Sequence, residues 1–193
     1  MPKIIIEQEE KEKIFRIAAK LLKENGYEKT TMRKICTEAN ISIGKFYRYF
    51  STKQELFSYF YTDAIEKFNE GTLQTLSDLD LCSQIIEFYK WYTNYTASLG
   101  LDFVSSFFNN TNETLNILKY NNAVLGTTDL FLEQAIRNGY HLPEKRTIHE
   151  LTCDICVIVK GVIFDWCVTE GAFSLPDYTE SLLKRCLPGL LEQ

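Results

Sequence analysis

The chain has 193 residues, 45% of them hydrophobic and 24% charged, with six cysteines and a formal net charge of −5. That is enough chain to bury a substantial core, and too apolar a composition for intrinsic disorder. The most apolar stretch, Ile155 to Val168, holds Lys160 and Asp165 and is too short to span a bilayer; Ile4-Ile5-Ile6 runs straight into Glu7, Glu9 and Glu10 instead of forming a secretory signal, so we expect a cytoplasmic protein with reduced thiols and no membrane partner.

Taken in order, the segments have helical periodicity rather than strand alternation. Ile14, Ile17, Ala18, Leu21 and Leu22 recur at the spacing of one buried helix face, and Asn25-Gly26 supplies a left-handed stop. Thr30 and Thr31 are caps for a second helix whose Ile35 and Ala39 face inward; Asn40 breaks it. Ser42 caps a third helix, expected over 42–50, with Phe46 and Phe50 turned to the core. Thr52-x-x-Glu55 is a capping box opening a longer helix with Phe57, Phe60, Tyr61, Ala64 and Phe68 on one side. After Gly71 and a polar junction, Ile85, Phe88, Tyr89, Tyr92 and Leu99 form another stripe ending at Gly100. Asn109–Asn112 reads as a loop, followed by a helical pattern to about Asn138 and a break from Gly139 to Pro143.

The segment from Ile148 to Thr169 is apolar nearly all round. Leu151, Ile155, Ile158, Val159, Val162 and Trp166 make one stripe, while Val157, Ile163, Phe164 and Cys167 cover another side. Such a helix is either central to the core or meets another subunit. A last stripe contains Leu182, Leu183, Cys186 and Leu187, and Pro188-Gly189 is expected to kink or end it.

The charge is unevenly divided. Residues 1–53 carry 12 Lys/Arg against 7 Asp/Glu, net +5, whereas residues 54–193 carry 9 against 19, net −10. A basic head on an acidic body suits a modular nucleic-acid binder, because only the reading surface needs positive charge. The turn at Asn40 joins two short helices, and the second bears Lys45, Tyr47, Arg48 and Tyr49, which suit phosphates and base edges. Ser42 at its start can donate to phosphate, and Gly44 lets the backbone approach closely. The segments together predict an all-α fold: an N-terminal helix-turn-helix DNA-binding domain over 1–53 and a larger helical domain over 54–193.

Phe15 to Leu56 resembles the N-terminal domain of TetR-family transcriptional repressors. The pattern is carried by Ala18-Ala19-x-Leu21-Leu22, Gly26-Tyr27, Thr30-Thr31, Ile35, Ala39, Ile41-Ser42-x-Gly44, Phe46-Tyr47-x-Tyr49-Phe50 and Lys53-x-Glu55-Leu56. Asn40 stands where a turn glycine is usual, and Asn tolerates the left-handed region. Cys36 replaces a common alanine, Tyr49 a frequent histidine, and Ile43 is apolar where many relatives are polar. The resemblance implies that Thr31, Arg33, Tyr47 and Lys53 clamp phosphates and that Ile43, Lys45, Arg48 and Tyr49 face bases, with Ser42 between the roles. It also implies that 54–193 is an effector-binding and dimerisation domain, and that the protein is a regulator, most simply a repressor, on palindromic double-stranded DNA, released by a small-molecule effector bound in that domain.

For the body, the expectation is a twofold homodimer built from the Ile148–Thr169 segment and the last helix, through Ile155, Ile158, Val162, Trp166, Leu182, Leu183 and Leu187. Two reading helices would then sit about 34–36 Å apart, one turn of duplex. Candidate pocket residues are Trp91, Tyr92, Tyr95, Phe103, Phe107, Tyr120, Phe131 and Phe164. The body is acidic, which favours an apolar neutral or cationic aromatic effector over a polyanion such as an acyl-CoA.

No catalytic constellation is evident: His141 and His149 are the only histidines and neither has a spaced Ser or Asp partner, so no enzyme and no cofactor are expected. Two alternatives stay open. His149, Cys153 and Cys156, at i, i+4 and i+7, could serve a metal- or redox-responsive regulator, although the preferred reading has no metal site. A helical adaptor that no longer binds DNA is the other.

Overall fold

The computed structural model of the chain describes residues 2–108, 123–143 and 145–191. Among these, the secondary structure is entirely helical: α1 (Pro2–Lys29), α2 (Met32–Ala39), α3 (Ile43–Tyr47), α4 (Lys53–Gly71), a 3-10 turn (Leu73–Leu76), α5 (Leu81–Ser98), α6 (Leu101–Phe107), α7 (Ala123–Arg137), α8 (Ile148–Val168) and α9 (Leu175–Leu191). The expected loop at Asn109–Asn112 and the pocket candidate Tyr120 lie outside the described residues.

Local chemistry sets the helix ends. Gly26 interrupts α1 at φ 74° and ψ 173°, a conformation strained for any side chain. Thr31 and Ser42 cap α2 and α3, accepting from the Lys34 and Lys45 N–H groups. Asn40 takes the left-handed conformation at φ 54° and closes α2. Thr52 accepts from the Glu55 N–H at 3.0 Å, but the Glu55 carboxylate reaches back to the N–H of Ser51 rather than Thr52, at 2.6 Å. A full capping box, Thr147 with Glu150, starts α8.

Two boundaries differ from expectation. The reading helix is shorter than 42–50, because the N–H groups of Arg48 and Tyr49 bond back only three residues, to Lys45 and Phe46, and the chain closes through a turn that buries Tyr49 and Phe50. α9 runs through Pro188 to Leu191. Its last turn is held from outside, since the Tyr140 hydroxyl donates to the Leu191 carbonyl at 2.5 Å.

Head and body share one hydrophobic cluster, running from Ile14 and Ala18 through Leu56, Phe57 and Phe88 to Leu183 and Leu191. α5 lies along α9, α8 packs on α7 and α9, and α4 leads from the head onto α7. Phe103 of α6 sits at the junction, within 5.3–6.1 Å ring-centroid distance of Tyr27, Phe57 and Phe60. Several buried polar groups in the body are paired: the Tyr89 hydroxyl meets Thr128 Oγ1 at 3.0 Å, and Thr152 donates to Asp129 at 2.6 Å. Phe103→Ala is expected to cost about 3–5 kcal/mol, the usual range for a buried phenylalanine. Guanidinium unfolding followed by circular dichroism and tyrosine fluorescence should show a single earlier transition; two separated transitions would mean that head and body unfold independently.

Candidate nucleic-acid interface

α2 and α3 pack on α1 through Ile35, Ala39 and Phe46, each fully buried. That packing fixes which side of the head faces out. The outward side carries Thr31, Arg33, Ser42, Ile43, Gly44, Tyr47 and Arg48, all exposed. Ile43 and Tyr47 are 46% and 48% exposed, a large apolar offering for a head this small. A Cβ on Gly44 would meet nothing within 4 Å, so the backbone there is open to a close-approaching partner. Lys45 is half-buried on the same side.

Two of the expected contact residues, Lys53 and Tyr49, are set back from this exposed side. Lys53 Nζ donates to the Tyr27 carbonyl at 2.6 Å and lies 3.6 Å from the centre of the Tyr27 ring, so it locks the start of α4 to the end of α1. Burial also lowers its pKa. Tyr49 is buried, and its hydroxyl donates to Glu10 of α1. Sequence spacing carried no hint of either contact, because the partners are 26 and 39 residues away.

Residues 14–60 match the family profile described as "Bacterial regulatory proteins, tetR family". The N-terminal module, about a quarter of the chain, is thus similar to that of the tetR-family bacterial regulatory proteins. The whole fold is similar to that of Thermus thermophilus FadR, a TetR-family transcriptional repressor solved in complex with lauroyl-CoA: 17% identity over 95% of this chain and 96% of that one, TM-score 0.77. A TetR-family transcriptional regulator from Pectobacterium atrosepticum matches at 17% identity over 98% and 97% of the two chains, TM-score 0.67. FadR from Bacillus subtilis, in complex with stearoyl-CoA, matches at 16% identity over 92% and 97%, TM-score 0.55. At such identities the likeness is one of fold. No curated protein matches the chain.

In the body, the pocket candidates separate into groups. Tyr92, Tyr95 and Phe107 surround Tyr61 of α4, with ring centroids 5.3–5.9 Å from it. The buried Tyr61 hydroxyl has Thr96 beside it but no well-formed hydrogen bond among the described residues, and burial raises its pKa well above the ordinary phenol value. The Tyr95 hydroxyl donates to the Phe60 carbonyl at 3.1 Å. Trp91 instead stacks beside Phe68 and Tyr95, and Phe131 lies against Phe88. Phe103 belongs to the head–body junction. Phe164 is not inside at all: it is 62% exposed on the outer side of α8. Tyr61 was legible in sequence only as one more residue of the buried α4 stripe.

The α8 and α9 candidates divide in the same way. Ile155, Val162, Trp166, Leu183 and Leu187 are buried within the protomer, while Ile158 and Leu182 are partly exposed. The outward face of α8 is a different strip. Val157, Gly161, Phe164 and Val168 recur at i, i+4, i+7 and i+11, with the three large residues 55–62% exposed. Tyr178 of α9, 45% exposed, stands on the outside as well.

His149 and Cys153 do meet, with Sγ 3.5 Å from Nε2. Cys156, however, is buried, and its thiol is pushed up to about 11 by desolvation. Among the described residues no three His, Cys, Asp or Glu side chains form a group able to hold a metal ion. Nothing in this arrangement supports the metal- or redox-responsive alternative. No helix among the described residues is long and apolar enough to cross a membrane.

Proposed function

We propose that this protein is a TetR-family regulator, a cytoplasmic homodimer that represses transcription by seating two α3 helices in successive major grooves of a palindromic operator. It performs no catalysis. The observation that carries the reading is the outward surface of the head, where Thr31, Arg33, Ser42, Ile43, Gly44, Lys45, Tyr47 and Arg48 share one side with both short helices capped. Tyr49 and Lys53 support that surface from within. The functional division remains a DNA-binding part over 1–53 and an effector and dimerisation part over 54–193, with α4 and α6 as the physical links. One such link is the Asp102 carboxylate of α6, which accepts from the Tyr27 N–H at 3.0 Å.

For the twofold contact we favour the Val157, Gly161, Phe164 and Val168 strip over the buried residues, because only exposed side chains can meet a second copy. Ile158, Leu182 and Tyr178 flank it.

The effector is proposed to be small, neutral and largely apolar, entering beside Tyr61, Tyr92, Tyr95 and Phe107. Two FadR relatives are described with acyl-CoA esters. Against a polyanion here, cations of the body are drawn to acidic partners: Lys67 to Asp63, Lys90 and Lys184 to Glu180, Arg137 to Glu133 and Arg146 to Asp154. Only differential affinity for the operator-competent and operator-incompetent states can drive release. A duplex selected from random sequences by the full-length protein, titrated with neutral aromatic probes and with lauroyl-CoA, tests this. Release by the neutral probes at lower concentration is expected; tight release by lauroyl-CoA alone would overturn the preference.

A further inference from the structure

The profile match begins at residue 14, yet α1 starts earlier, and its first described side chains run beside α3. This extension is anchored at several points. Gln8 Nε2 donates to the Tyr59 hydroxyl at 3.1 Å, and Lys13 Nζ donates to the Ala39 carbonyl at 2.9 Å. Phe15 packs edge-on against Tyr59 and Phe60 at 5.3 and 4.6 Å. Toward α3 the extension presents Glu7 and Glu10, which share a helix face at i, i+3.

Glu10 uses both carboxylate oxygens. Oε1 accepts from Lys45 Nζ, and Oε2 accepts from the Tyr49 hydroxyl. Glu7 Oε1 lies 3.8 Å from Arg48 Nη2. Three side chains expected to face bases therefore face carboxylates in the free protein. The hydrogen bonds from Lys45 and Tyr49 hold the Glu10 carboxyl below its ordinary range, so it is ionised at neutral pH.

We infer that Glu7 and Glu10 form an acidic cover on the reading helix, an internal substitute for DNA phosphate that an incoming duplex has to displace. A duplex of arbitrary sequence offers Lys45 and Arg48 only phosphates, so opening the cover exchanges one anionic partner for another and brings the freed carboxylates close to the DNA backbone. A matching operator adds base-edge contacts and can offset that cost. The cover thus suppresses non-specific retention more than operator binding, and sharpens discrimination without touching a base.

The inference rests on reading the head as a DNA-binding module, and the experiment separates the two. Wild type, Glu7→Gln/Glu10→Gln and Glu9→Gln are compared by fluorescence anisotropy on a duplex of arbitrary sequence and on a selected operator, across a salt series. Glu9 is exposed one position away and controls for the removal of a nearby charge, its effect being doubled for comparison with the double variant. The double variant should bind the arbitrary duplex about fivefold tighter, on the scale of two exposed ion pairs. Its salt dependence should steepen by about one to two counterions per protomer. Operator affinity should rise less, so the ratio of the two falls. If the double variant matches the doubled Glu9→Gln effect, or binds more weakly because Glu10 positions Lys45 in the complex, the cover is wrong. If wild type is retained on no duplex even at low salt, the DNA-binding reading falls and takes the cover with it. Ring NMR of Tyr49 in the absence of DNA gives a second readout. Its resonances should move on Glu10→Gln, and unchanged resonances would remove the contact on which the cover depends.

Discussion

Replacing Lys45 and Tyr47 together by alanine is expected to abolish operator retention while leaving the fold intact. Both side chains lie on the outward side of α3, and Tyr47 is 48% exposed with only an edge contact to Phe46 at 5.9 Å. Surface changes of this kind usually alter stability by no more than about 0.5 kcal/mol. Each good base or phosphate contact contributes about 1–3 kcal/mol, and the dimer makes each contact twice. Operator affinity should therefore fall by at least about a hundredfold, and losing Lys45 would also leave Glu10 facing DNA with its cation gone. Anisotropy titration and thermal melting on the same samples check both halves. Tyr47→Phe separates hydroxyl from ring, since a phosphate-clamping hydroxyl predicts most of the loss and a ring stacked along a groove predicts little. Unchanged retention by the double alanine variant, in a folded protein, would rule out α3 as the reading helix.

Phe164→Asp is expected to convert the proposed dimer to monomers at micromolar concentration. The Val157, Gly161, Phe164 and Val168 strip is narrow and apolar, and a twofold contact through it brings equivalent residues of the two copies together. A carboxylate there meets an apolar wall and its own like charge. Phe164 is exposed in the protomer, so the substitution spares the core. Sedimentation should show the smaller species, and operator affinity should drop by about 10²–10⁴ as the two heads lose their linkage. Phe164→Leu should retain the dimer. A Phe164→Asp dimer of unchanged stability would move the interface away from α8.

What could be read from the sequence was local. The caps at Thr31, Ser42 and Thr52, the Gly26 break and the left-handed Asn40 all follow from residue chemistry within four positions, and each stands where it was expected. The buried faces of α1 and α4 were legible for the same reason: one stripe, one side. α8 defeated this reasoning because apolar residues surround it, and periodicity cannot say which side meets the protomer's own α7 and α9. Hence Ile155 and Val162 were assigned outward and Phe164 inward, the reverse of their burial. Long-range polar pairings were hidden as well. Glu10 with Lys45, Lys53 with the Tyr27 carbonyl and Asp102 with the Tyr27 N–H join residues 26 to 75 positions apart, and composition carries no trace of them. The proline in α9 misled because its helix is held by packing of Leu183, Leu187 and Leu191, which outweighs one lost backbone bond.

The shared cluster of head and body has a practical corollary for engineering. Tyr27, Phe57 and Phe60 close around Phe103, a residue far down the chain, so a cut at residue 53 would strip the reading module of its own floor. Chimaeras that graft this module onto another sensor need to carry α4 and a matching α6 with it. Partner specificity and sensing are thus inherited as one block, and change in one constrains change in the other.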